Sequence, residues 1–454
     1  MKRTRRSVMT AAAGAMLAAP FIRRGHAAEA VRLGLLSDLN GAYATLSGAA
    51  AVAAVKLAVE DFSKQHPDIP VEVQASDFQL KPDIGLGIAR AWFDTQGVDC
   101  ILDVPMSALA FSLGALARDR NKVVMFTSTA SDEVTGRFCG PNHVHWTHDT
   151  YALGATVARA ALEKKLDTWF FIMPDYAMGK SQVASITHIL DQNGAKVLGT
   201  VAHPFPGTSD FSSYLLQAQS SGAKVICLAN SGEDAVNCIK QAAEFGILGR
   251  GQSMVLPLFD TPLVKAVGLK TGQGLNYAVA GYWDENDATR SLQKRIAPAL
   301  NGNPLAQNHI GDYSGAYNYL KAVAAVGVSR AKSDGRAVIE QLKSAPFDDA
   351  MLGRCVVRPD GRMVHDMLLM EVKKPSESHG ELDLARVAET VPGADAFRPA
   401  RRRALPDGQR VTVTRTAVAD ACAAGNVASP PAPARVAGCA RCYAARRRRW
   451  SGPG

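Results

Sequence analysis

The stretch from Val31 to Phe62 constrains the fold more than any other. A short apolar run, Val31-Arg32-Leu33-Gly34-Leu35-Leu36, breaks at Ser37-Asp38-Leu39-Asn40-Gly41. It gives way to an Ala-rich segment carrying Val52, Val55, Val59 and Phe62. The run is too short for a core helix and is bounded by turn residues, which predicts a buried strand. The second segment spaces its apolar residues by three and four, which predicts a helix with one buried face. Strand, polar loop and helix open a parallel α/β sheet. Ligands of such sheets sit beyond the carboxyl ends of the strands. The loop from Ser37 to Gly48 is therefore a candidate binding edge, its alternative being an ordinary connection.

The same pattern repeats along the chain. Strands are predicted at Pro70–Ala75, Val98–Val104 and Lys122–Phe126, with helices at Pro82–Gln96 and Ser107–Asn121. After a helix at Tyr151–Lys165 the theme restarts with a strand at Trp169–Met173, the loop Pro174–Gly179 and a helix to about Gln192. Strands follow at Lys196–His203, Lys224–Ala229, Gln252–Leu256 and Asn276–Trp283, then helices at Thr289–Leu300 and Ser314–Val328. Each half has a strand ending just before an Asp (Asp38, Asp175) with a Gly close behind (Gly41, Gly179), so two lobes are built alike. A length of 454 residues also exceeds one compact core. Asp-Gly at 360–361, between Gly353–Arg358 and Met367–Val372, predicts a hairpin.

The two ends carry the chain's positive charge. Residues 1–27 hold six Lys or Arg and no acid, and residues 398–454 hold twelve Arg against two Asp. The formal +9 of the chain thus leaves −7 for residues 28–397, which removes the charge argument for nucleic acid. Lys2–Arg6, the apolar stretch Val8–Ile22 and Gly25-His26-Ala27 form an export signal, and Thr4-Arg5-Arg6 is of twin-arginine type. No Cys precedes Cys100, so a soluble periplasmic protein without a lipid anchor is expected. Five cysteines lie in the body; Cys227 and Cys238 sit in apolar patterns that suit buried thiols.

Fingerprints of nucleotide binding, of nucleophilic catalysis and of zinc sites are missing: no GxGxxG after the first strand, no GxxxxGK[ST], GxSxG or HExxH. His143, His145 and His148 cluster, but no Cys or acid pair completes a metal set, so a solvated or hydrogen-bonded loop is expected. No cofactor is expected. Short polar residues instead follow the strands, as Met106-Ser107-Ala108 and Thr127-Ser128-Thr129-Ala130-Ser131. Hydroxyls and free N–H groups at such helix starts suit an anion, although each Ser singly is also a plausible cap. The second half offers Tyr176, Asn230-Ser231-Gly232-Glu233 and Phe259-Asp260-Thr261. Rings can wall an apolar body, and Asn or Asp can take a donor.

Several segments together resemble the periplasmic solute-binding proteins of ABC transporters, in the leucine/isoleucine/valine-binding group. They are Leu33–Gly48, Asp77–Gly85, Asp175-Tyr176-Ala177-Met178-Gly179, Ile239–Gly246 and Tyr313–Val323. The similarity spans about residues 29–397. It implies a type I periplasmic binding protein fold, α/β, with two doubly wound lobes joined by three crossovers. The lobes are expected at 29–148 plus 278–350 and at 149–277 plus 351–397. It further implies hinge closure on a small carboxylate-bearing ligand, a membrane permease as partner, no enzyme activity and a monomer. By position the family's anion-holding residues match Ser107, Thr129 and Ser131, its tyrosine matches Tyr176, and its ammonium-binding acid is nearest to Asp260. Tyr151 and Asn230 complete the candidate set. Asp for the usual Glu, and the Asp-Tyr-Ala-Met-Gly form, point toward aromatic or other organic acids. The rival readings are a ligand-sensing receptor module of the same fold and an α/β enzyme, for which no nucleophile–base pair is found.

From Arg398 the composition turns to Arg, Ala, Pro and Gly, which cannot bury a core. This tail reads as coding sequence in a shifted frame. Resequencing the gene is expected to restore a different frame near residue 398; a native protein whose intact mass includes the tail would overturn this.

Overall fold

The computed structural model describes residues 29–247 and 251–400. The export signal, the Cys439–Cys442 pair and the tail beyond residue 400 lie outside the described residues. Five parallel strands come first: β1 (Val31–Ser37), β2 (Val71–Asp77), β3 (Cys100–Asp103), β4 (Val123–Phe126) and β5 (His143–His145), ordered 2-1-3-4-5. The next five repeat that order: β6 (Thr168–Pro174), β7 (Lys196–His203), β8 (Val225–Leu228), β9 (Ser253–Leu256) and β10 (Asn276–Val279), running 7-6-8-9-10. A small antiparallel sheet follows, of β11 (Phe347–Asp349), β12 (Gly353–Val357) and β13 (Met363–Val364). The chain then returns to the second sheet with β14 (Met367–Val372) and β15 (Ala385–Val391), antiparallel beside β10. The likeness of the two halves seen in sequence is thus a shared strand order.

Helices cover both faces of each sheet, as the near-continuous apolar strands require. On the first sheet, helix Gly48–Gln65 buries Val55 and Phe62 beside Tyr319 and Val323 of helix Gln307–Val326. The other face packs Trp92 of helix Pro82–Asp94 and Leu109 and Leu113 of helix Ser107–Arg120. The second sheet buries Leu153 and Ile186 on one side and Leu215 and Ile239 on the other. One core cluster runs through inner faces of both halves without a break. No helix among the described residues is long and apolar enough to cross a membrane. Cys227 and Cys238 are buried free thiols.

Four sequence expectations change. The hairpin at Asp360-Gly361 forms, but β12 pairs with β13, while Met367–Val372 leaves for the larger sheet. Met367 joins the second sheet's core whereas Cys355, Val357 and Met363 join the first's, so the last passage between halves falls after Val364, beyond residue 351. His143–His145 is a buried strand rather than a loop. Arg398, read as the start of the tail, is held by the body: its guanidinium meets Asp132 at 2.9 Å and its carbonyl accepts from Arg358 at 2.6 Å. Strand β15 escaped the sequence pattern because its middle residues are exposed at a sheet edge.

A buried polar knot fixes the carboxyl edge of the first sheet. The Asp103 carboxylate accepts from Ser37 Oγ at 2.5 Å and from Ser47 Oγ. Its backbone N–H donates to Thr127 Oγ1 at 3.0 Å, and that hydroxyl donates to Asp312. Strands β1, β3 and β4 and the helices starting near Ser47 and Gln307 are tied at one point. Asp103 and Val104 both adopt left-handed backbone, φ +70° and +63°. For a β-branched residue that costs about 1–2 kcal/mol, and the knot holds it. Burial pushes the Asp312 carboxyl well above its ordinary range, and the Asp103 charge adds to this. Such a raised group favours the folded state at low pH and loses that contribution as pH rises through and above the unfolded value. Asp312→Asn is therefore expected to gain stability over the natural chain as pH climbs from about 4 to 8, by up to about 1.4 kcal/mol per unit. Urea midpoints at pH 5 and pH 8 that differ equally between the two proteins would contradict this.

Candidate functional site

Where strand order reverses in an open sheet, the loops leaving the carboxyl ends splay apart and make a crevice. Both halves have that reversal, and their crevices face one another. From the first half come Tyr43 and Leu46 after β1, Pro105 and Ser107 after β3, Ser128 and Ala130 after β4, and His148 after β5. From the second come Tyr176 and Met178 after β6, Ser231 after β8 and Leu258, Phe259 and Asp260 after β9. Gln307 and Asn308, at the start of a long helix, close one side.

Local chemistry sets each loop. Asp38 accepts from the N–H groups of Gly41 at 2.9 Å and Tyr43 at 2.7 Å, curling the loop so that Tyr43 points across the cleft. There its hydroxyl meets that of Tyr176 at 2.7 Å, and both rings stack on Phe205, with centroids 5.5 and 4.8 Å away. Asp175 plays no matching part; it is an exposed partner of Lys180. The hollow contains about 440 Å³ of space with its mouth included, of which about 30 Å³ clears the side chains by a water's radius. With the Tyr43 and Tyr176 hydroxyls in contact, that clear space is smaller than an aromatic ring.

The family profile described as periplasmic binding protein matches residues 30–379. The chain belongs to the periplasmic binding protein family. Among solved structures, a periplasmic binding protein from Burkholderia mallei is 39% identical, covering 81% of this chain and 96% of its own, with a TM-score of 0.77. A branched chain amino acid ABC transporter periplasmic ligand-binding protein from Burkholderia xenovorans LB400 is 38% identical over 81% and 97%, TM-score 0.72. A solute binding protein from R. palustris in complex with 4-hydroxybenzoate shares the fold at 16% identity, 80% and 98% coverage and a TM-score of 0.72. No curated protein matches the sequence.

Within this family fold, Ser107, Tyr176 and Asp260 reach the cleft. Thr129 and Ser131 do not line it: Thr129 Oγ1 donates to the Val104 carbonyl at 2.6 Å, and Ser131 Oγ accepts the Glu133 N–H at 3.4 Å. Ser131 N–H still steadies Ser107, donating to its Oγ at 3.2 Å. Asn230 is buried behind Ser231, its amide near His203 at 3.5 Å, and Tyr151 packs against the second sheet's outer core. Both Asp260 oxygens are occupied, one by the Thr261 N–H and one by the Gln307 N–H, each at 2.7 Å. Burial pushes that carboxyl up to about 7.

The histidines act as braces. Nε2 of His145 bonds the Thr129 carbonyl at 2.6 Å and Nε2 of His143 the Val134 carbonyl at 3.3 Å, so they hold the hydroxyl-rich loop after β4. Burial pushes His143 down to about 4, which leaves it neutral. No metal-holding group of three or more His, Cys, Asp or Glu occurs among the described residues. Sequence reasoning missed Tyr43, Ser128, His148 and Ser231 as lining residues, although all four lie in stretches it quoted; Gln307 and Asn308 gave no signal.

The two walls approach too closely at Gly232 for any larger residue. The glycine's φ is +61°, and a Cβ there would stand 2.7 Å from the Ala42 carbonyl oxygen across the cleft. Gly232→Ala is expected to fold, losing about 1 kcal/mol, but to close incompletely. Its ligand affinity should drop at least about tenfold, or ~1.4 kcal/mol, and small-angle scattering should show little contraction on ligand addition. Full contraction in the variant would contradict the contact.

Proposed function

We propose that this chain is the exported, monomeric substrate-binding component of an ABC uptake system, and that its ligand is a small aromatic carboxylate captured without being transformed. The observation that carries the reading is Asp260. An amino-acid ligand needs an ionised acceptor for its ammonium, whereas the one carboxylate on the cleft wall is buried, gives one lone pair of each oxygen to a backbone N–H and has its pKa pushed up to about 7 by burial. The wall carries no Lys, Arg or Glu. Hydroxyls of Ser107 and Ser128 suit a carboxylate, and Tyr43, Tyr176 and Phe259 suit a flat apolar body. Proteins of this fold from R. palustris hold benzoate and 4-hydroxybenzoate.

The mechanism is hinge closure. A ligand touching both halves favours the closed state by its differential affinity for it, and a permease in the inner membrane then reads the closed form. A second reading, a branched-chain amino acid, draws on the name of the Burkholderia xenovorans relative at 38% identity.

A thermal-shift and calorimetric screen separates the two. Benzoate-type acids at 100 times their dissociation constant are expected to add about 2.7 kcal/mol of stability, while leucine, isoleucine and valine add none. Ser107→Ala and Tyr176→Ala should each remove most of the shift, and labelled acid should be recovered unchanged. A shift with leucine alone would replace the aromatic reading by the second one.

A further inference from the structure

Three cleft-lining side chains are buried and have a polar atom without a hydrogen-bond partner among the described residues: Ser128, His148 and Ser231. Ser128 Oγ faces the Asp103 carboxyl without a bond of ordinary geometry. His148, 1% exposed, differs from the buried His143 and His145 in that neither of its ring nitrogens has a hydrogen-bond partner among the described residues.

The backbone around His148 is clamped. Arg362, itself fully buried, donates Nη1 to the His148 carbonyl at 3.1 Å and Nη2 to the Thr147 carbonyl at 2.9 Å. Its Nε reaches the Met363 carbonyl at 2.8 Å, and Nη1 also lies 3.4 Å from Asp149. His365 Nε2 bonds the Thr147 carbonyl at 2.6 Å from the same side. These bonds fix the backbone that carries His148, which lines the cleft together with Ser128. Burial first, and the Arg362 charge second, push the His148 pKa down to about 3, so the ring is neutral and offers one N–H.

We propose that His148 is a specificity-determining residue: its ring N–H donates to the carboxylate of the bound solute and completes the anion seat with Ser107. The proposal rests on the functional reading above. A neutral donor held in place discriminates a carboxylate from its uncharged analogue because the bond to an ionised acceptor is the stronger one. It does so without bringing a counter-charge into the cleft.

The test compares benzoate with benzamide, or the best carboxylate of the screen with its amide, by calorimetry. The variants are His148→Ala, His148→Met, which fills similar volume without donating, and His148→Gln, which keeps an N–H. The first two are expected to lose about 10- to 100-fold in carboxylate affinity and to lose the preference over the amide, while His148→Gln retains part of both. Equal weakening of acid and amide, or no weakening in a folded variant, would overturn the seat while leaving the functional reading intact. A natural chain indifferent to every carboxylate would overturn both.

Discussion

The Asp103 carboxylate is the point on which the cleft depends. Two serine hydroxyls, from the end of β1 and the start of the next helix, converge on it, and Thr127 links its backbone to Asp312. Only a firm anchor keeps a valine in left-handed backbone immediately before Pro105. That turn aims Ser107 inward, and the Thr129 hydroxyl braces it through the Val104 carbonyl. Two acids buried together are costly in themselves. Their value here is geometric, because they join five elements whose loops form one wall.

The second wall repeats the first in topology but not in detail. In both halves a ring follows the first strand, and Tyr43 and Tyr176 meet hydroxyl to hydroxyl across the gap. In both, the loop after the third strand brings a serine, Ser107 or Ser231. The first wall is richer in donors and the second in rings, with Phe205 and Phe259 behind or beside Tyr176. Between the walls runs Thr147–Asp149, whose carbonyls are gripped by Arg362 and His365.

Charge is kept out of the cleft rather than gathered in it. Arg362 lies behind the wall, bonded to carbonyls and to Asp149. Burial raises the Asp260 pKa to about 7, while one backbone N–H on each oxygen opposes that rise and holds the carboxyl against the wall. Histidines 143 and 145 serve as neutral struts to backbone carbonyls. In a low-dielectric cleft, fixed neutral dipoles stabilise an incoming anion with little reorganisation.

Much of this was legible from local pattern. Val31–Ser37 lies within a residue of its sequence reading and the helix Gly48–Gln65 runs three residues past Phe62, because a strand buried on both faces and a one-faced helix leave strong periodic signatures. The doubled α/β plan followed from the same signatures. What the residues alone did not decide was which neighbour in a polar run faces the guest. Ser128 lines the cleft while Thr129 and Ser131 bond backbone, a choice made by the Val104 carbonyl and the Glu133 N–H. Nor did they reveal that Asp260 is already satisfied by Gln307, 47 residues away. Hydrophobic periodicity is a property of short segments and survives in the sequence. The direction of a hydroxyl, or the occupancy of a carboxylate, depends on partners brought together only by packing.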